Sequence, residues 1–360
     1  MVSINNDSSK VPALRIVAFE VTRNCILNCR HCRAAASKNC GANELTTDEC
    51  KKVIDGIAQM GQAVVILTGG EPMLREDIYD IAKYGYNLGL RMVMAPCGLL
   101  LDKESCRKII DAGISRISLS IDGATALSHD AFRGHDGAFD KLMTGIETAR
   151  CEGLEFQINS TITCSNVNEL PAIFDLAIKL GAVSFHPFLL VPTGRAKDLT
   201  TEMISSDQYE SVLNWIYDQR SSTKITLKPT CAPHYYRILR QRESAAGRIV
   251  KPTTHGLDAM TRGCLGGQGF AFISHTGDVQ ICGFLESCAG KLRNNNFDFK
   301  EIWQSSELFR EIRQTDKRKG KCGICEYQTV CGGCRARAFS VNGDYLGEEP
   351  QCNYEPGKQK

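Results

Sequence analysis

The sequence predicts an α/β fold, in which a partial (β/α)6 barrel of the TIM type precedes a cysteine-rich C-terminal domain. The first observation is that short apolar runs alternate with amphipathic segments from Arg15 to about Leu190. Repeated strand-then-helix units indicate a parallel sheet with right-handed crossovers, and the six units counted here are too few to close an eight-stranded barrel. The second observation is a change in composition from about Thr261 to glycine, cysteine and short polar loops, with too few apolar residues for a separate core.

Six apolar runs are the candidate strands of the barrel. They cover residues 15–21, 63–68, 91–95, 116–121, 156–162 and 183–190. Helix signals lie between them: Thr46 and Glu49 form the pattern of a capping box, and Asp102 is placed to open another helix. A further helix begins near Asn168 and stops before Gly181, where a C-cap glycine is expected.

These patterns divide the chain into three expected parts. Residues 1–200 form the partial barrel, residues 201–258 form a connecting helix and strand, and residues 259–360 form the cysteine-rich domain. Because the last part has little apolar periodicity, we expect bound metal to hold it together.

Composition excludes several classes of protein. Of the 360 residues, 42% are hydrophobic and 23% are charged, and the net charge of +2 gives no general attraction to nucleic acid or an anionic membrane. No apolar run approaches the roughly 18 residues needed to span a bilayer, and the polar amino terminus lacks the pattern of a signal peptide. The sequence therefore predicts a cytoplasmic protein, where its 18 cysteines stay reduced and clustered thiols bind metal more often than they pair.

Three cysteines, Cys25, Cys29 and Cys32, follow the first strand directly with the spacing C-x3-C-x2-C. An iron–sulfur cubane takes cysteine thiolates, so three of them would leave one of its four irons open to a ligand that is not protein. A zinc site would need a fourth ligand, for which His31 is the nearby candidate. Zinc and an isolated group of thiols therefore stay open as alternatives.

The second strand is followed by Thr68-Gly69-Gly70-Glu71-Pro72. The glycines allow backbone to approach a ligand closely, and Glu71 can accept hydrogen bonds from an ammonium group. Alone, this segment could be an ordinary turn. Its position one strand–helix unit after the cysteines favours a shared site.

Together the two motifs resemble those of the radical S-adenosylmethionine (SAM) enzymes, over roughly residues 13–195. The resemblance implies that Cys25, Cys29 and Cys32 ligate a 4Fe–4S cluster whose open iron binds SAM. It also implies a set of SAM-binding residues, namely Gly69, Gly70 and Glu71 at the methionyl amine, and His31, Ser120, Asp122, Arg133, Asn159 and Arg195 around the rest of the molecule. For His31 an ordinary loop histidine, and for Arg133 a surface salt bridge, remain as alternatives. The segment at 95–101 departs from the family pattern, and Cys97 receives no role.

A second group of cysteines lies in the tail. Its members are Cys264, Cys282, Cys322, Cys325, Cys331, Cys334 and Cys352. This spacing resembles the SPASM domain, which holds auxiliary 4Fe–4S clusters in radical SAM enzymes; a single zinc ribbon is the alternative. The resemblance implies one auxiliary cluster on Cys322, Cys325, Cys331 and Cys352, and another on Cys264, Cys282 and Cys334. The latter has three identified ligands, so an open iron and an unidentified fourth ligand both remain as alternatives; Cys288 is the first candidate for that ligand and Cys231 the second.

Three further segments, at 230–237, 255–267 and 331–352, resemble the heme b synthase family of the siroheme-dependent alternative heme pathway. With them the resemblance spans about residues 13–355. It implies an anaerobic oxidoreductase that decarboxylates two propionates of iron-coproporphyrin III to vinyl groups, with ferredoxin or flavodoxin as electron donor.

A tetrapropionate porphyrin requires cations at its rim and flat apolar walls. The candidate substrate residues are His234, Tyr235, Tyr236, Arg237 and Arg262, with Arg240 and Arg242 as further cations. His234 could be an axial iron ligand or only a hydrogen-bonding residue. A solvated basic helix end with core tyrosines is the alternative for the rest.

Other functions remain open from the sequence. One is a SPASM maturase that modifies a peptide, as in mycofactocin formation, although only about 14 residues precede the first strand and leave little room for the peptide-recognition domain common in that class. Another is side-chain chemistry of the heme d1 or didecarboxysiroheme type. A non-catalytic iron–sulfur carrier is disfavoured, because a carrier has no need of Gly-Gly-Glu-Pro or of an open iron.

Overall fold

Within residues 11–38, 43–255, 258 and 263–357, which the computed structural model describes, the strands form one ten-stranded sheet. The strands are β1 Ile16–Thr22, β2 Val64–Gly69, β3 Arg91–Met94, β4 Ile114–Ser120, β5 Phe156–Ile162, β6 Ser184–Leu189, β7 Thr226–Leu227, β8 Phe270–Ile273, β9 Asp278–Cys282 and β10 Leu285–Lys291. Their order across the sheet is β10-β9-β8-β1-β2-β3-β4-β5-β6-β7. The pairs from β8 through β1 to β7 are parallel, as the alternating pattern predicts.

Helices connect these strands and follow the predicted signals. They are α1 Thr47–Ala58, α2 Ile78–Asn87, α3 Lys103–Asp111, α4 Ala126–Arg133, α5 Ala138–Cys151, α6 Leu170–Leu180, α7 Ser206–Arg220, α8 His234–Ala245, α9 Pro252–His255, α10 Phe299–Ser305, α11 Glu307–Arg313, α12 Gly320–Ile324 and α13 Arg335–Asn342. Capping boxes are present at Thr46 and Asp102. Gly181 ends α6 in the left-handed region with φ of 86°.

The cysteine-rich segment is not separate from the sheet. Its strand β8 pairs in parallel with β1, from Ile16 opposite Phe270 to Phe19 opposite Ile273. Strands β9 and β10 then continue the sheet as antiparallel neighbours. Strand β8 and the buried Trp303 of α10 belong to the main core. This agrees with the expectation that the segment has too few apolar residues for a core of its own.

Alternation along the central strands separates two faces of the sheet. On β5, Phe156, Ile158 and Ile162 are buried in the hydrophobic core, whereas Gln157 and Asn159 are only half-buried on the opposite face. This second face carries polar side chains, which would not be needed if it only packed against other parts of the protein. Among the described residues, no helix has both the length and the apolar character to cross a bilayer.

The predicted motifs all follow carboxyl ends of parallel strands. The cysteine loop follows β1, Gly-Gly-Glu-Pro follows β2, Asp122 follows β4 and the turn at Gly194 follows β6. Carboxyl ends of parallel strands meet at one edge of the sheet, where α/β proteins bind their ligands. The fold therefore brings these motifs to one edge.

Candidate functional site

The loop after β1 gathers Cys25, Cys29 and Cys32 in a small apolar cluster at the edge of the sheet. Backbone N–H groups donate to the sulfurs of Cys25 and Cys32 at 3.4 Å each. Arg133 Nη1 lies 3.7 Å from the sulfur of Cys29 and donates to it. Burial raises the pKa of Cys25 to about 11 and raises that of Cys29, so these thiols must lose protons when they bind iron.

The Gly-Gly-Glu-Pro turn packs directly against the start of the cysteine loop. The N–H of Gly70 donates to the carbonyl of Thr22 at 2.8 Å, and the N–H of Glu71 donates to the carbonyl of Asn24 at 2.6 Å. A Cβ atom at Gly69 would lie 2.2 Å from the oxygen of Thr22, and one at Gly70 would lie 2.3 Å from that of Asn24. The glycines therefore let two backbone segments meet, in addition to any approach of a ligand.

The carboxylate of Glu71 is fully buried and held by two backbone donors. Its Oε1 accepts from the N–H of Met73 at 2.9 Å, and its Oε2 accepts from that of Cys97 at 2.6 Å. Burial raises the pKa of Glu71. Cys97, the residue without an assigned role, therefore supports Glu71 through its backbone.

Asp122, Arg133 and His31 form a buried polar group next to the cysteines. Arg133 Nη2 lies 2.6 Å from Asp122 Oδ2, and the N–H of Thr161 donates to Asp122 Oδ1 at 2.6 Å. Burial alone would raise the pKa of Asp122, but the charge of Arg133 holds it below its usual value. His31 stacks on Phe132 with ring centroids 4.4 Å apart, and burial lowers the pKa of His31 to about 4, so its ring is neutral.

Two polar atoms in this group have no hydrogen-bond partner although they are buried, namely Nδ1 of His31 and Nε of Arg133. Buried polar atoms usually find partners, so these two indicate a missing polar ligand. A carboxylate at Glu71 and a guanidinium at Arg133 suit the ammonium and carboxylate groups of an amino-acid ligand. The residues present therefore fit SAM bound beside the three thiols.

Ser120 and Asn159 occupy matching positions on adjacent strands. Ser120 on β4 is paired with Asn159 on β5, which is paired in turn with His186 on β6. Gln157 contacts both neighbours on the same face, since its Nε2 lies 3.0 Å from Asn159 Oδ1 and 3.4 Å from His186 Nδ1. This row of side chains lines the polar face of the sheet, and the predicted SAM contacts of Ser120 and Asn159 stay predictions.

Arg195, which was predicted to contact SAM, contacts carbonyl groups of the cysteine loop in the structure. Its Nε donates to the carbonyl of Cys29 at 2.9 Å, and its Nη1 donates to that of Ala36 at 2.6 Å. The preceding Gly194, with φ of +60°, lies so close that a Cβ would be 2.1 Å from the carbonyl oxygen of Arg33. Arg195 thus holds the cysteine loop in place, and its contact with SAM stays a prediction.

Cys322, Cys325, Cys331 and Cys352 line one partly open cavity. Backbone N–H groups donate to the sulfurs of Cys322, Cys325 and Cys331 at 3.4–3.5 Å. His234 lines the same cavity, and both of its buried ring nitrogens lack a hydrogen-bond partner. Four thiols, their N–H donors and an unpartnered imidazole fit an iron–sulfur cluster, whose sulfurs accept such hydrogen bonds.

Cys264, Cys282 and Cys334 form the other group of thiols in the tail. The pKa of Cys282 is raised by burial first and then by its neighbours Cys264 and Cys334, which shows that the three lie together. Cys231 adjoins them, because it packs with Cys282 and Cys334 in a small apolar cluster, and its neighbouring thiol lowers the pKa of Cys334.

The structure gives the two candidate fourth ligands different surroundings. The thiol of Cys288 is exposed on β10 and lies 3.3 Å from the carbonyl of Gly290. Cys231, the candidate ranked second, lies beside Cys334. Cys288 is close to Cys282 along the chain, whereas Cys231 reaches the group only through the fold, and the fourth ligand stays a prediction.

Most of the candidate substrate residues have other surroundings. Tyr235 and Tyr236 are buried in the main core, and Arg220 donates to the hydroxyl of Tyr235 at 3.2 Å. Arg237 is buried and paired with Glu210. These contacts agree with the alternative of core tyrosines and a paired basic helix.

Arg240 and Arg242, the further candidate cations, also have partners within the protein. Arg240 donates to the carbonyl of Tyr236 at 3.1 Å, and Arg242 is paired with Asp218 at 2.6 Å. Arg262 lies outside the described residues. The porphyrin contacts of all these residues stay predictions.

Sequence reasoning missed a buried ion pair between Arg337 and Glu349, both fully enclosed. Arg337 also donates to the carbonyls of Leu189 and Cys231 at 2.9 Å each, and Glu349 accepts from the N–H of Cys334 at 2.7 Å. The pair therefore ties the end of β6 to both Cys231 and Cys334. Its signal in the sequence was weak, because Arg335-x-Arg337 resembles an exposed basic turn.

Within the described residues, no three His, Cys, Asp or Glu side chains converge closely enough to hold a single metal ion. A zinc ion draws its ligands into one coordination shell, whereas each cysteine of a cubane binds a different iron.

Two family models match the chain. Residues 19–177 match the radical SAM superfamily, and residues 264–334 match SPASM, an iron-sulfur cluster-binding domain. The two matches coincide with the two regions in which the structure gathers cysteines.

Individual proteins resemble nearly the whole chain. An AdoMet-dependent heme synthase from Nitratidesulfovibrio vulgaris is 52% identical over 345 residues, which are 96% of this chain and 94% of that relative. An AdoMet-dependent heme synthase from Methanosarcina barkeri is 50% identical over 347 residues, which are 96% of this chain and 98% of that relative. The crystal structure of Streptococcus suis SuiB bound to its precursor peptide SuiA superposes with a TM-score of 0.74 at 16% identity, over 95% of this chain and 76% of that one, which supports the fold alone.

Proposed function

Because the chain belongs to the radical SAM superfamily and is a radical SAM enzyme with a SPASM domain, we propose that it converts iron-coproporphyrin III into heme b. In this reaction two propionate side chains are oxidatively decarboxylated to vinyl groups. The observation that carries the proposal is the 52% identity to an AdoMet-dependent heme synthase over nearly the full length of both chains. Substrate-positioning residues are spread over a whole fold, so similarity of this extent supports a shared substrate class.

When bound, SAM and its cluster supply the radical that takes a hydrogen atom from each propionate β-carbon, and the auxiliary clusters supply an acceptor for the electron left when carbon dioxide departs. The residues proposed to hold SAM are Glu71 at its ammonium and Arg133 at its carboxylate. Glu71 is fully buried and the side chain of Arg133 is 11% exposed, which keeps water away from a site where a reactive radical must form. The two groups of thiols in the tail are the residues that would hold these electron-accepting clusters.

Positive charge on the polar face of the sheet supports an anionic substrate. The N–H of Lys228 donates to the carbonyl of Phe185, which puts Lys228 beside His186 in the row that includes Ser120 and Asn159. Burial lowers the pKa of Lys228, and burial together with Lys228 lowers the pKa of His186 to about 3.

Lys228 lacks a close counter-ion of its own. Asp258 is the acidic group whose charge acts on it, but Asp258 is itself paired with Arg220. Among the described residues no ion pair of Lys228 is present. A half-buried cation is costly without a partner, and a propionate carboxylate would supply one.

The electron donor that we propose is a ferredoxin or flavodoxin, and the compartment is the cytoplasm. All 17 cysteines within the described residues are free thiols, which suits a reducing compartment. A small one-electron donor also suits a reaction that consumes one electron for each SAM cleaved.

The test is an anaerobic assay with reconstituted protein, SAM, a strong reductant and iron-coproporphyrin III. We expect the porphyrin to lose two carbon dioxides and four hydrogens, and the product to be heme. Cleavage of SAM with an unchanged porphyrin mass would contradict the substrate assignment while leaving the enzyme class intact.

A matched pair of variants tests the charge on the polar face. We expect Lys228→Met to raise the KM for the porphyrin about tenfold or more, since a charged hydrogen bond is worth about 1.5–3 kcal/mol. Lys224→Met is the control, because Lys224 is exposed four residues away. Equal KM values for the two variants would contradict a role of Lys228 in binding substrate.

A further inference from the structure

The number of protein ligands is in question for the first auxiliary group, the set of thiols that contains Cys264. Cys264, Cys282 and Cys334 are three thiols, and a closed cubane requires four protein ligands. With three, one iron would stay open to substrate; with four, the cluster could only transfer electrons. The identity of the fourth neighbour therefore decides what this cluster can do.

Cys231 is the thiol that the fold brings to this group. Cys231 packs with Cys282, Cys334 and Leu285 in a small apolar cluster apart from the main core. A thiol packed with two of the three others in an apolar pocket has the surroundings of a cluster ligand.

The backbone at Cys231 is held in an unusual conformation. Its φ is +55°, a left-handed value that non-glycine residues rarely adopt and that persists only where the surroundings enforce it. The enforcing contacts are present, because the Cys231 carbonyl accepts from Arg337 Nη2 at 2.9 Å and from the hydroxyl of Tyr209 at 3.0 Å. The preceding Thr230 is anchored to β6 by its N–H, which donates to Pro187 at 2.8 Å.

The same residue therefore positions both thiols. Arg337 lies in α13, which begins directly after Cys334, and it fixes the carbonyl of Cys231 while its partner Glu349 accepts from the N–H of Cys334. Buried outer contacts of this kind orient the ligands of metal sites. An incidental thiol would not require a strained backbone and two buried donors.

We propose that Cys231 is the fourth cysteine ligand of the first auxiliary cluster, with Cys264, Cys282 and Cys334. The cluster is then fully coordinated by protein, and its role is to accept or pass electrons rather than to bind substrate at an open iron. The proposal rests on the SPASM domain and not on the identity of the substrate, so cluster content and porphyrin turnover can fail separately.

Iron and sulfide counting with electron paramagnetic resonance (EPR) of the reconstituted full-length chain tests this directly. Three cubanes give about twelve irons per chain, and we expect Cys231→Ala to lose about one to four of them, with a [3Fe–4S] signal after oxidation. Cys264→Ala is the positive control and should give the same change. Cys288→Ala, the exposed cysteine favoured by sequence distance, should keep the iron content and spectrum of the wild type. Wild-type iron content and spectrum in Cys231→Ala would overturn the proposal.

A second measurement asks whether an iron is open. In a chain in which Cys25, Cys29 and Cys32 are all alanine, cyanide should leave the EPR spectrum of the reduced auxiliary clusters unchanged. Adding Cys231→Ser should make the first cluster respond to cyanide, and retention of the signal from the Cys322 group shows that the tail is folded. A cyanide response while Cys231 is present would mean that the first cluster already has an open iron, and the proposal would be wrong.

Discussion

At the scale of single residues, the proposed SAM site depends on side chains that are fixed before any ligand arrives. Glu71 is held by two backbone N–H groups, and Asp122 holds Arg133. Such preorganisation lowers the cost of ordering a site when it binds. The consequence is that a change at one carboxylate should affect SAM binding more than folding.

Glu71→Gln tests this at the ammonium end of SAM. We expect the Kd for SAM to rise about tenfold or more, because a charge-assisted hydrogen bond worth about 1.5–3 kcal/mol is replaced by a neutral one. Equilibrium dialysis of the reconstituted protein measures the change. Glu49→Gln is the control, since Glu49 is paired with Arg293 in the exposed part of the structure. An unchanged Kd in the Glu71 variant would rule out the ammonium contact.

A buried carboxylate also makes stability depend on pH. Glu20 on β1 is fully buried and contacts Arg33 at 2.7 Å and His275 at 2.8 Å. Burial alone would raise its pKa, but Arg33, His275 and Arg23 lower it to about 2 from 4.5. Because the pKa is depressed in the folded state, the stabilisation is complete above about 4.5 and is lost as the pH falls toward 2.

Glu20→Gln should therefore lose about 3 kcal/mol of stability at pH 7, and the gap to the wild type should narrow as the pH falls below about 4.5. Urea unfolding at pH 7 and pH 4 measures both. Glu49 also has a pKa of about 2, but its pair with Arg293 lies near the surface. Glu49→Gln should therefore lose less stability than Glu20→Gln. Equal stability of Glu20→Gln and wild type at pH 7 would refute the assignment.

Local sequence predicts some of these residues and not others. The cysteines of the first loop and Glu71 lie in short motifs directly after strands, so their approach follows from the parallel sheet. Cys231 and Cys334 are about 100 residues apart in the chain, and only the folded path of β7 and α13 brings them together. The contacts of Arg195 with the carbonyls of Cys29 and Ala36 could not be predicted for the same reason, because a distant carbonyl has no signature in the sequence.

At the scale of elements, the six predicted strands and the capped helices are present because each has a local cause. Alternating or continuous apolar runs specify the strands, and Thr46 and Asp102 specify helix starts. The pairing of β8 with β1 has no such local cause. The run Phe270–Ile273 is short, and its partner lies about 250 residues earlier.

The contact between β6, the loop at Cys231 and α13 depends on the buried Arg337–Glu349 pair. We expect Arg337→Met to cost about 3–5 kcal/mol, because it leaves the carboxylate of Glu349 buried without a counter-charge. Urea unfolding measures the loss, and the exposed Arg310→Met is the control. The double variant Arg337→Met with Glu349→Leu should recover part of it. Wild-type stability in the single variant would show that the pair does not join these elements.

At the scale of the whole molecule, the cluster-bearing tail and the barrel share one sheet. Strand β8 of the tail covers one edge of β1, and Gly263, with φ of +65°, packs so closely that a Cβ would lie 2.1 Å from the carbonyl oxygen of Cys331. The two auxiliary groups are therefore neighbours, and Cys282 of the first group is joined through β9 and β8 to β1, the strand that leads into the first cysteine loop. Electron transfer between sites benefits from such rigid connection.

A chain that ends before residue 259 tests this dependence. It would expose the hydrogen-bonding edge of β1, which is a site for aggregation. We expect the shortened chain to be largely insoluble, with the soluble fraction after expression as the measurement. The control is the full-length chain in which Cys322, Cys325, Cys331 and Cys352 are alanine, which lacks one cluster but keeps β8. A soluble shortened chain that still cleaves SAM would show that residues 1–258 fold independently.

The central claim is that a SAM-derived radical acts on the propionates of an iron porphyrin. Its most direct test is mass spectrometry of 5′-deoxyadenosine after anaerobic turnover with iron-coproporphyrin III deuterated at the propionate β-carbons. The account predicts deuterium in 5′-deoxyadenosine together with formation of heme. Unlabelled 5′-deoxyadenosine, with the porphyrin recovered unchanged, would contradict it.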